Sequence, residues 1–60
     1  MCEVRVIQKG VDSENEIMKE VEIIKVNGGE IRIIDILGRE KTVNGSIVSI
    51  DLLKNVVEIV

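Results

Sequence analysis

Val21 to Asp35 reads VEIIKVNGGEIRIID, two aliphatic runs of nearly equal length on either side of Asn27-Gly28-Gly29. Val21, Ile23, Ile24 and Val26 precede the glycines, and Ile31, Ile33 and Ile34 follow them. Side chains branched at Cβ are stiff at χ1 and crowd a helix, but they pack well on a pleated surface. The glycines allow positive φ at little cost, so the chain can reverse between the runs as a hairpin. A competing helix over Ser13 to Lys25 has some support, since Ser13 and Glu16 match a capping box and Ile17, Val21 and Ile24 share one helical face. The β-branched run favours strands.

The same punctuation recurs along the chain every eight to twelve residues, as in a small all-β barrel or sandwich. Five to six strands are expected, drawn from seven candidate segments. The candidate segments are Glu3 to Gln8, a short Glu16 to Met18, Val21 to Val26, Glu30 to Ile36, Arg39 to Val43, Ser46 to Ile50 and Val56 to Val60. Asn44-Gly45 is a two-residue hairpin signal between the fifth and sixth of these, and Asp51 to Asn55 forms the last turn. Val6-Ile7, Ile23-Ile24, Ile33-Ile34 and Val56-Val57 break strict alternation. Such doublets fit strands bent by a bulge at a barrel corner, or strands with one face in the core and the other on a second subunit.

Composition narrows the function. Eleven Ile, ten Val, three Leu, two Met and one Cys supply the apolar inventory, with no aromatic residue, Ala or Pro. Sixty residues make a single domain, 1–60, and a chain so short hides only about 60% of its unfolded surface. Association as a homodimer would relieve that shortage. The net charge of −3 and the missing aromatic rings leave no footprint for a phosphate backbone or for base stacking, so nucleic acid is not an expected partner. No stretch is long enough to span a membrane and the start lacks a signal-peptide pattern, so a cytoplasmic protein is expected.

Histidine is absent and cysteine occurs once, which excludes Cys-His catalysis, zinc fingers and histidine metal sites within one chain. The acidic stretch DSENE, Asp12 to Glu16, fails as a calcium loop because Ile17 and Ile23 stand where glycine and a bidentate glutamate are needed. Asp35 and Asp51 lack a second catalytic group, so both read as turn or surface residues and no enzyme is expected. Cys2 remains. By strand parity with Val4 and Val6 it packs inward as a small hydrophobe. By position it is a ligand: with Met1 removed, its amine and thiolate form a five-membered chelate, and with Met1 retained, the terminal amine, the Cys2 amide and the thiolate form two fused rings. Two copies meeting at a two-fold axis would supply a planar nitrogen and sulfur set suited to Ni(II), with Zn(II) and Cu(I) as other ions that thiolates accept.

The start Met1-Cys2-Glu3, Gly28-Gly29 before Ile31-Arg32, IIDILGREKTV at 33–43, and Gly45 ahead of IVSIDLLKNVVEIV at 47–60 carry a resemblance over essentially the whole length. The chain resembles the CooT-type nickel-binding proteins, small cytosolic chains linked to maturation of the nickel site of carbon monoxide dehydrogenase. The resemblance implies an all-β, small SH3-like barrel of five to six antiparallel strands, a homodimer, and one Ni(II) per dimer held by Cys2. It implies a metallochaperone whose partner is a nickel-enzyme client. The alternative is a small protein-interaction module in which Cys2 is only structural, with RNA binding ranked third.

Overall fold

The computed structural model describes residues 3–60, and all of its regular structure is β. Seven strands follow one another: β1 Arg5–Lys9, β2 Glu14–Met18, β3 Val21–Asn27, β4 Glu30–Asp35, β5 Glu40–Asn44, β6 Ile47–Asp51 and β7 Val56–Ile59. They form two sheets, one of four strands in the order β2-β1-β7-β6 and one of three in the order β3-β4-β5. The expected hairpin across the glycines is present, with Asn27 opposite Glu30 and Gly28 at φ 63°. No helix forms over Ser13 to Lys25. Ile17 and Val21 lie instead on separate strands of different sheets, joined through Lys19 and Glu20.

Two sequence expectations are corrected. The strands number seven rather than five to six, and they are not all antiparallel, because β1 and β7 run parallel with Arg5 beside Val56 and Gln8 beside Ile59. The hydrogen-bonded ladders close two separate sheets among the described residues, and no ladder completes a barrel. Asn44-Gly45 is also no hairpin turn. The strands on either side of it, β5 and β6, belong to different sheets, and β6 pairs with β7.

Gly45 has a different physical task there. The Ser46 N–H donates to the Val60 carbonyl at 3.0 Å and the Val60 N–H returns the bond at 2.9 Å, which brings the end of the chain against the corner. A side chain on Gly45 would collide with the Val60 carbonyl oxygen and lie 2.9 Å from Ile59 Cγ2. Glycine lets the backbones approach where any Cβ would block them.

The aliphatic doublets coincide in part with irregular register. The pairing shifts between Val6 and Ile7 where β1 meets β2, and between Val21 and Ile23 where β3 meets β4. An extra residue in one strand leaves its side chain out of phase, so adjacent aliphatic residues can follow each other without strict alternation. At Ile33-Ile34 the strand stays regular instead. Ile31, Ile33 and Asp35 face inward at every second position, and Ile34 lies opposite Ile23 on the other face.

The core is the layer between the sheets. Val6, Met18, Val21, Ile31, Ile33, Val57 and Ile59 form it, with Val4, Ile17, Ile24, Val43 and Ile47 packed around them. Ile31, Ile33, Ile59 and Val6 are fully buried, and each such side chain is stabilising by about 1.5–3 kcal/mol relative to exposure. Truncation at the middle of β4 should therefore be costly: Ile33→Ala is expected to lose about 2–5 kcal/mol in urea unfolding. At the corner, Gly45→Ala should destabilise more than Gly28→Ala, because Gly28 has open space around it and only its positive φ to protect. The Gly28 change should cost about 1 kcal/mol, and the difference between the two midpoints measures the backbone approach at Val60.

Candidate functional site

Cys2, the one residue expected to hold a metal, lies outside the described residues. The chain that follows it is held at two points. The Val4 carbonyl accepts the Val21 N–H at 2.9 Å, and the Arg5 N–H donates to the Asn55 carbonyl at 2.9 Å. Glu3 to Arg5 is thus tied to the start of β3 and to the turn that leads into β7. That turn is built by Asp51, whose Oδ1 accepts the N–H groups of Leu53 at 3.0 Å and Lys54 at 2.9 Å, with Asn55 in the left-handed region at φ 57°. Leu52 and Leu53 are 80% and 93% exposed. An apolar tip therefore stands on the turn that Arg5 is bonded to.

Asp35 and Asp51 both prove to be turn builders, as their sequence context implies. Asp35 does more than cap. It takes the third inward position of β4 and is 2% exposed, the one buried polar side chain among the described residues. Oδ1 accepts the N–H groups of Leu37 and Arg39, each at 2.9 Å, and Oδ2 accepts Arg39 Nε at 2.7 Å. Burial alone would raise its pKa, but the Arg39 N–H, the Arg39 guanidinium and the Leu37 N–H outweigh it and hold the carboxyl below its ordinary value. A buried carboxylate that accepts three hydrogen bonds from its own turn is a structural anchor.

The acidic stretch at 12–16 shows no ion-binding geometry. Glu16 pairs with Arg5 at 3.4 Å across β1 and β2, and Glu14 opens the edge strand β2. Among the described residues no three His, Cys, Asp or Glu side chains gather as a metal site. No described helix is long and apolar enough to cross a membrane.

One hollow was not foreseen. Ile17, Met18 and Lys19 at the end of β2 face Asp35, Arg39, Glu40 and Lys41 around the β4–β5 turn, enclosing about 240 Å³. Lys41 Nζ spans the gap between the sheets by donating to the Ile17 carbonyl at 3.0 Å. Residues at 17–19 and 35–41 share no spacing motif, so only the sheet packing brings them together.

Comparison with known proteins now bears on this geometry. The profile described as CO dehydrogenase accessory protein CooT matches residues 1–60, the full length given. The chain belongs to the CooT family. Among solved structures, the crystal structure of a protein provisionally assigned as CooT from Carboxydothermus hydrogenoformans superposes with a TM-score of 0.86. It is 17% identical, with 97% of this chain and 94% of that one covered, so it supports the fold. No curated protein matches by sequence. This CooT family member is accordingly an accessory protein of CO dehydrogenase and not itself an enzyme.

Asp35 offers a direct test. A depressed folded-state pKa means that the stabilisation is present above the unfolded carboxyl value of about 3.9 and is lost as pH falls through the lower, folded value. Asp35→Asn should lower Tm on the order of 10 °C at pH 7. In acid titrations followed by circular dichroism, the gap between parent and variant should be constant above about pH 5 and close as pH falls below about 4.

Proposed function

We propose that this CooT family member carries Ni(II) as cargo for CO dehydrogenase, holding the ion between two copies of Cys2 at a homodimer interface, one ion per dimer. The observation that supports it most is the match to the CO dehydrogenase accessory protein family across residues that include Met1-Cys2. The rest is chemistry of the donor inventory. Cys2 is the chain's sole thiol and histidine is absent, so a soft or borderline ion has one side chain to choose. Two thiolates with nitrogen donors from the adjoining backbone make a nitrogen and sulfur set that Ni(II) accepts in square-planar geometry.

Transfer to the client proceeds by ligand exchange at the thiolate donors. The apolar Leu52-Leu53 tip, on the turn bonded to Arg5, is available for contact with a second copy or the client. In the same proposal the two sheets are a form of SH3-like barrel, with corner residues rather than a continuous ladder joining them. Zn(II) and Cu(I) are the competing ions.

A nickel titration of parent and Cys2→Ser, with mass determination by light scattering, tests the proposal. The parent should develop a thiolate-to-nickel absorption band that saturates at one metal per two chains. Cys2→Ser should lose the band and on the order of 100-fold or more in affinity. Binding should weaken as pH falls below the thiol's ordinary value of about 8.5, because the thiolate is the ligand. Equal binding by the two proteins would sink the metal role and favour a docking module with a packed cysteine.

A further inference from the structure

We infer that the hollow between the end of β2 and the β4–β5 turn is a binding site for a small polyanion, a di- or tricarboxylate or a phosphate compound, recognised by Lys19, Lys41 and Arg39. The cavity lining carries three cations and two carboxylates, and both carboxylates are already engaged. Asp35 spends its oxygens on Leu37 and Arg39. Glu40 accepts Arg32 Nε at 2.7 Å, and that bond holds the Glu40 carboxyl below its usual range, so it stays charged and paired.

The cations are less committed. Four of the eight basic residues, Arg5, Lys9, Arg32 and Arg39, take part in ion pairs among the described residues. Of the other four, Lys19 and Lys41 both line this cavity. The Lys19 ammonium has no acceptor among the described residues. Lys41 uses one N–H on the Ile17 carbonyl and keeps two. Arg39 donates Nε to Asp35, which fixes the guanidinium plane and leaves its terminal nitrogens to donate outward.

In a chain of net charge −3, this is a local surplus of positive charge around a concave surface with an apolar floor of Ile17 and Met18. Charge-assisted donors set around a hollow suit an anion that carries several acceptor oxygens. The volume of about 240 Å³ admits an organic polyanion and excludes a folded partner. None of the lining residues is a donor in the nickel proposal, so the two are tested separately.

The test is an amide NMR titration of metal-free protein at low ionic strength with pyrophosphate, citrate and succinate in turn, and sodium chloride as the screening control. Saturable shifts at Ile17 to Lys19 and Arg39 to Lys41 are expected, with Kd on the order of 1 mM. Which anions bind tells a phosphate source from a carboxylate source. Lys19→Gln, whose side chain holds nothing in the fold, and Lys41→Gln should each weaken binding on the order of ten-fold, while Lys54→Gln outside the cavity should not. Shifts that sodium chloride reproduces, no saturation with any of the three anions, or equal binding by parent and Lys19→Gln would overturn the site.

Discussion

One buried carboxylate organises more of this molecule than any other polar group. Asp35 occupies an inward position of β4 that alternation would assign to an aliphatic residue, and it is tolerable there only because three donors from Leu37 and Arg39 surround it. Those donors tighten residues 36–39 into the turn that starts β5, with the Asp35 N–H donating to the Arg39 carbonyl and the Gly38 N–H to the Asp35 carbonyl. The Ile36 N–H then reaches the Glu20 carbonyl at the corner where the chain passes from one sheet to the other. Local turn chemistry, sheet closure and the shape of the cavity all follow from one ionised side chain.

The core around it is built without rings or methionine-rich flexibility. Isoleucine and valine have few rotamers, so they lose little freedom on burial and define their neighbours' positions well. They are also small. The described residues cover the inner layer and leave Val48, Ile50, Leu52, Leu53 and Val60 exposed.

Much of the all-β character was legible because local signals agreed: β-branched runs, the Gly28-Gly29 reversal, and aspartates placed to cap turns at 35 and 51. The doublet at Val6-Ile7 coincides with an interrupted register, and the one at Ile23-Ile24 lies next to the interruption between Val21 and Ile23. What failed were relations between distant segments. Asn44-Gly45 carries a hairpin's composition, yet its glycine serves the approach of Val60, fifteen positions away in the sequence and invisible to a local window. The parallel pairing of β1 with β7 has no short-range signature either, since no turn links them. Of the candidate site, Cys2 stood out by elimination, and the cationic hollow did not, because Lys19 and Lys41 become neighbours only through packing.

The parallel partnership of the first and last strands sets an order of events during synthesis. β1 can pair with β2 as soon as both are free, but its other edge waits until residues 56–59 have been made. Such long-range closure is slow compared with forming a hairpin. Until β7 docks, one edge of β1 stays open and can pair with a strand of a neighbouring copy.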